Sequence, residues 1–115
     1  MAYSPTEAVI GWLASMGYRA STTVPATRPA SFVTAEPYSG AVESMVPSTS
    51  FAIQFWGSTD AECEDAALAC RGAMLEGAKP DGIYNVAVIG GPYPFPDPDS
   101  RQCRWQLAVD ITHAL

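Results

Sequence analysis

Apolar side chains fall at every second position from Phe51 to Phe55. Phe51, Ile53 and Phe55 take one side, and Ala52, Gln54 and Trp56 the other. A period of two in aromatic and β-branched residues predicts a strand. Gly57 breaks the pattern, and the period then changes. Thr59 is placed as an N-cap with Glu62 three residues on, the spacing of a capping box, and Asp60 adds negative charge where the helix dipole favours it. The helix runs to about Glu76 and is stopped by Gly77 and Pro80. Cys63, Ala67, Cys70 and Met74 form one stripe of this helix, mostly small, which suits close approach to a sheet. Leu68 and Leu75 form a second apolar strip with Ala61 and Gly72 beside them. That strip is either a wider core contact or a surface for a second subunit.

An earlier helix begins at Ser4 as N-cap, with Pro5 in the first turn and Glu7 completing a capping box. Val9, Trp12, Leu13 and Met16 recur at helical spacing, Ile10 widens the face, and Gly17 ends it. Arg19–Val24 reads as a short strand confined by Pro25 and Pro29, and Ala30–Glu36 as a second strand. Pro37–Thr49 reads as a long loop. It carries two hydrophobes, Met45 and Val46, that either fold back as a lid or, on the favoured reading, insert into a neighbour.

Beyond an Asp81-Gly82 turn, Ile83–Ile89 is apolar on both sides and is expected inside the sheet. Gly90–Ser100 reads GGPYPFPDPDS. Prolines at alternate positions from Pro92 to Pro98 predict a stiff extended arm that presents Tyr93 and Phe95. Asp97 and Asp99 are placed to pair with Arg101 and Arg104. The final strand alternates Cys103, Trp105, Leu107, Val109 and Ile111 with Arg104, Gln106, Ala108, Asp110 and Thr112. It pairs with Ile83–Ile89 as a hairpin and turns a polar face to water or a lumen. The order is α-β-β-β-α-β-β. This describes a single α+β domain over residues 1–115, a mostly antiparallel sheet of four to five strands with two helices packed on one face.

Composition narrows the function classes. The chain has 115 residues, enough for one core, with 48% hydrophobic and 16% charged residues. A net charge of −6 and only six basic residues leave no electrostatic footprint for gripping a phosphate backbone. No apolar run reaches membrane-spanning length, and Ser4, Pro5 and Glu7 stand where a signal peptide needs basic residues, so a cytoplasmic protein is expected. Cys63 and Cys70 lie two helical turns apart, too far for a disulfide. All three cysteines, Cys103 included, read as small buried hydrophobes, and their spacing suits no zinc site.

No phosphate-binding glycine loop, nucleophile elbow or calcium loop is present. The only histidine, His113, has no nucleophile or second ligand beside it in the pattern and reads as a terminal strand residue. The acids Asp60, Glu62, Glu64 and Asp65 read as helix capping and a solvated face. No catalytic residue, metal ligand or cofactor follows from the sequence.

Three segments carry a resemblance. They are VPATRPASFVTAE (Val24–Glu36), SFAIQFWGSTDAECEDAALACRGAML (Ser50–Leu75) and GGPYPFPDPDSRQCRWQLAVDITHAL (Gly90–Leu115). With the first helix, this arrangement resembles the tail terminator proteins of long-tailed, siphovirus-type bacteriophages, especially those of actinobacterial hosts. The resemblance implies a structural virion protein with no enzymatic activity and no cofactor. It implies a ring, usually a hexamer, that caps the finished tail tube, halts its polymerisation and meets the head's connector or completion protein. Such a protein sits at the tail–neck junction of the virion and in host cytoplasm during assembly. DNA passes through the ring, and an acidic lumen repels rather than grips it. Met45, Val46, Leu68, Leu75, Tyr93, Phe95 and Arg101 are the candidate contact residues, inferred from pattern and not inherited from the family. A head-completion or neck adaptor protein is the nearest alternative. A small-molecule-binding regulatory domain is the alternative from another class.

Overall fold

The computed structural model describes residues 3–43 and 46–115, and their side chains except at 40–46. Helix α1 spans Pro5–Ser15, and its cap is local: the Ser4 hydroxyl accepts the Glu7 N–H at 3.2 Å. Helix α2 spans Asp60–Glu76, with the Thr59 hydroxyl accepting the Glu62 N–H at 3.2 Å. Five strands complete the chain: β1 (Ala20–Ser21), β2 (Phe32–Glu43), β3 (Val46–Gly57), β4 (Ile83–Pro94) and β5 (Cys103–His113). They form one sheet in the order β1-β2-β3-β5-β4. Among the described residues, only the short β1–β2 pair is parallel. The fold is α+β with the element order α-β-β-β-α-β-β.

Both helices bury their apolar stripes in one core. Val9, Trp12 and Leu13 of α1 and Ala67, Cys70 and Met74 of α2 join Phe51, Ile53, Phe55, Leu107, Val109 and Ile111 of the central strands. The period of two in β3 and β5 therefore sorts one face to the core, as expected from the sequence. The small residues of α2 let it pack across β3, β5 and β4.

Several sequence expectations are corrected. Pro37–Thr49 is not a long loop. β2 and β3 pair as far as Glu43↔Val46, leaving 44–45 between them. Pro37 is tolerated because β1 pairs only with Val33 and Thr34, so the rest of β2 has a free outer side, and a register shift falls between Pro37 and Ser39. Met45 lies outside the described residues, and Val46 begins β3. The strand expected over Arg19–Val24 shrinks to Ala20–Ser21. β4 lies at the sheet edge, not inside it. Register shifts between Ile83 and Asn85 and between Val88 and Gly90 break its alternation, so Ile83 and Val86 reach the core while Tyr84 and Ile89 face solvent. Cys103, finally, is only partly buried, whereas Cys63 and Cys70 are enclosed.

The proline arm expected from Gly90 begins later: Gly90–Pro94 continues β4, with Tyr93 opposite Gln106 and Pro94 opposite Trp105, and one glycine sits at the register shift inside it. Gly91 has φ +93, and a Cβ there would stand 2.5 Å from the Gln106 carbonyl oxygen and 3.2 Å from Leu107 Cα. Gly91→Ala should therefore lower stability by about 1–3 kcal/mol, from the left-handed backbone alone and more from the clash. Urea unfolding with an unchanged m-value checks it.

Candidate interaction surfaces

The sheet face away from the helices carries a hydrogen-bonded ladder across four strands. The Trp56 indole N–H donates to the Thr34 hydroxyl at 3.1 Å, which donates to Gln54 Oε1 at 3.2 Å. Gln54 Nε2 donates to Gln106 Oε1 at 3.0 Å, and Gln106 Nε2 to the Tyr93 hydroxyl at 2.6 Å. Farther along the same face, the Ser50 hydroxyl donates to Asp110 at 3.4 Å. The pairings Thr34↔Gln54, Gln54↔Gln106 and Gln106↔Tyr93 place these side chains directly opposite one another. Each amide has one fixed orientation in this chain, so the face is ordered as well as polar.

At one end of that face, the proline arm is clamped. The Arg104 guanidinium lies 4.9 Å from the Trp56 ring centre and 4.5 Å from that of Phe95. It also donates from Nε to the Phe95 carbonyl at 2.6 Å and from Nη2 to that of Pro96 at 3.3 Å. Phe32 stacks on Trp56 at 5.2 Å, and Arg28 approaches the same ring at 5.3 Å. Arg28 Nη1 reaches Asp97 Oδ2 at 3.8 Å and donates to the Ser100 hydroxyl at 3.3 Å. Gln102 Nε2 donates to the carbonyls of Pro29 and Ala30, both at 3.3 Å. Thus the β1–β2 and β4–β5 connections hold each other over Trp56. Asp97 partners Arg28, and Arg104 serves arm carbonyls and rings, which replaces the expected Asp97/Asp99–Arg101/Arg104 pairing. Arg101 is exposed.

Asp97 is the clamp's titrating group. Hydrogen bonds from Ser100 and the Asp99 N–H, then the Arg104 and Arg28 guanidinia, hold its carboxyl below its ordinary value. A lowered folded-state pKa gives stability that is present above the unfolded value and lost as pH falls through the folded one. Acidification through and below the usual carboxylate range should therefore lower the melting temperature more in the wild type than in Asp97→Asn. Parallel pH–Tm curves for the two proteins would count against the clamp.

Tyr93 near the end of β4 and Phe95 at the start of this clamped arm stand edge to face at 6.4 Å, and both are exposed. Leu68 and Leu75 on α2 are 40% and 46% exposed, so the second strip of that helix is not core in the single chain. The structure brings Tyr93 and Phe95 together. Leu68 and Leu75 share a separate face of α2, on which Arg71 donates to the Gly91 carbonyl of β4 at 3.3 Å.

A cleft of about 230 Å³ opens between Tyr18, Arg19, Phe32, Phe55, Trp56 and Glu62. It is smaller than the roughly 300–1,000 Å³ of typical ligand sites. Cys63, also on its wall, has its thiol pushed up to about 11, chiefly by burial, and burial pushes Cys70 up to about 12. Neither is an activated nucleophile at neutral pH. Buried His113 hydrogen-bonds through Nε2 with the Thr49 hydroxyl at 2.9 Å and through Nδ1 with the Ala114 carbonyl at 2.7 Å, and stacks on Tyr3. The Nδ1 contact makes that nitrogen a proton donor, since a carbonyl oxygen only accepts. Among the described residues no helix is long and apolar enough to cross a membrane, and no group of three or more His, Cys, Asp or Glu side chains is arranged to hold a metal ion.

Sequence reasoning named Tyr93, Phe95, Leu68 and Leu75 as candidate contacts and tied Arg104 to the arm only through Asp97 and Asp99, but missed Arg28 and Trp56 as parts that fix the arm. The alternation placed Arg104 and Trp56 on the polar side of their strands, the one available signal. Comparison with known proteins gives no match to a protein-family model or to a curated protein.

Proposed function

We propose that this protein is a structural virion component, a tail terminator whose copies form a ring, usually a hexamer in the family it resembles, on the end of a siphovirus-type tail tube. The observation that carries this reading is the exposure of large apolar side chains on ordered supports: Leu68 and Leu75 on a capped helix, Tyr93 near the end of β4 and Phe95 on a clamped arm. Apolar groups held this way lose little conformational entropy when a partner covers them. The ladder face suits an inner wall. It is polar, ordered and includes Asp110, and in a chain of net charge −6 it would let DNA pass without holding it. The ring would halt tube growth by occupying the surface on which the next tube subunit docks, and would offer its other side to the head-completion or connector protein.

Tube length tests this. Tail tube protein polymerised with this chain should give tubes that stop early and carry extra density at one end in negative stain. Tubes of unchanged length and bare ends would contradict the proposal. Gold labelling of the chain in intact virions separates a terminator, at the tube's end, from an adaptor seated on the head.

A further inference from the structure

Among the described residues, the sheet leaves two long edges without partners. β4 has β5 on one side only, and β2 beyond Thr34 has β3 on one side only. The β4 edge is unusual in what it lacks. Ile83–Pro94 contains no charged residue, and its prolines are confined to the far end at Pro92 and Pro94. Proteins normally guard edge strands with lysine, proline, twist or cover, because unpaired N–H and C=O groups recruit other strands. Here the register shifts are the only guard before Pro92. Tyr84 and Ile89 stand 62% and 56% exposed beside that edge, and α2 packs over β4 with Leu68 and Leu75 in solvent. The β2 edge is different in kind: it carries Glu36, Pro37 and exposed Tyr38, and ends at Glu43.

We propose that the β4 edge of one copy receives the free β2 edge of the next, so that the ring is closed by one continuous sheet. The proposal rests on the ring reading and adds the mode of contact. Three observations select a second copy as the occupant. First, β2 is antiparallel to β3, β3 to β5, and β5 to β4, so β4 runs opposite to β2. A neighbour placed in the same orientation therefore continues the sheet as an antiparallel pair. Second, the edges differ in charge. Arg71 of α2 reaches the otherwise uncharged β4 at Gly91, Lys79 in the connection before β4 is offset there by Asp81, and β2 supplies Glu36 and no cation. Unlike edges favour a head-to-tail junction, the kind that builds rings, over a two-fold β4–β4 contact. Third, this arrangement keeps all helices on one side of the joined sheet and all ladder faces on the other. Strand addition supplies main-chain hydrogen bonds, and the flanking apolar side chains supply specificity.

Edge-guarding substitutions test this in the full chain. Ile89→Lys, with Tyr84→Lys as an independent second variant, blocks the β4 edge, and Tyr38→Lys blocks the β2 edge. All three positions are exposed. Circular dichroism and melting should match the wild type. Glutaraldehyde fixation, under conditions where the wild type assembles, should leave each variant as a monomer. A mixture of Ile89→Lys and Tyr38→Lys retains one good junction and should stop at twice the 12.2 kDa chain mass. Folded β4-edge variants that assemble like the wild type, or a mixture that stays monomeric, would overturn the edge junction while leaving the ring reading in place. A wild-type chain that neither self-associates nor caps tubes would overturn both.

Discussion

Replacing Trp56 with alanine should lower the unfolding free energy by about 3–5 kcal/mol, the range for removing a buried Trp side chain. The ring is 4% exposed and has several partners to lose: Phe32 stacked on it, Arg104 and Arg28 near its face, and Thr34 on its N–H. Each cation–π contact is worth about 0.5–1 kcal/mol at an exposed site and more when desolvated. Against a typical total of about 5–15 kcal/mol, the substitution removes a large share of the stability. It should also free the proline arm, because Arg104 would keep only Phe95 as a stacking partner. Trp56→Phe separates the parts. It retains a ring but loses the N–H bond to Thr34, whose hydroxyl still donates to Gln54, and should cost only about 1 kcal/mol through that bond. Urea midpoints with unchanged m-values measure both, and amide exchange across residues 95–102 reports the arm. Equal losses in the two variants would show that the aromatic stack contributes little.

Leu68→Glu should have the opposite signature, a folded chain that no longer assembles. Leu68 is 40% exposed, so its replacement should change monomer stability by no more than about 0.5 kcal/mol. In the proposed ring, a carboxylate at this position would face the closing apolar surface of another subunit and be strongly disfavoured, because a buried charge without a partner resists leaving water. The nearest cation on the same face, Arg71, is already engaged by the Gly91 carbonyl. Melting temperature and particle mass should therefore separate, the first unchanged and the second falling to the monomer. Unfolding by this substitution would return the strip to the core and remove it as an interface.

The parts of the fold read correctly from sequence were those decided within a few residues. Ser4–Glu7 and Thr59–Glu62 fixed both helix starts, and the alternation through Phe51–Phe55 and Leu107–Ile111 sorted the core face of the central strands. The β2–β3 hairpin was illegible because its outer half has no apolar period. Ser39, Gly40 and Ala41 face Ser50, Thr49 and Ser48, and the strand exists there through main-chain pairing. β4 looked central because it is apolar on both faces, and nothing local distinguishes a strand buried between neighbours from an edge that leaves Tyr84 and Ile89 in water. The clamp was missed for a related reason. Arg28 and Asp97 meet only when two distant connections converge over Trp56, and charge spacing along the chain favoured the nearer arginines.

Copies of this chain are proposed to form a closed ring fitted to a tail tube. Mass by light scattering, alone and with purified tail tubes, combined with negative-stain images, tests it most directly. The expected result is a closed ring, about six times the 12.2 kDa chain for the hexamer usual in the family it resembles, seated at one end of each tube. A strict monomer at every concentration that also leaves tube ends bare would contradict it.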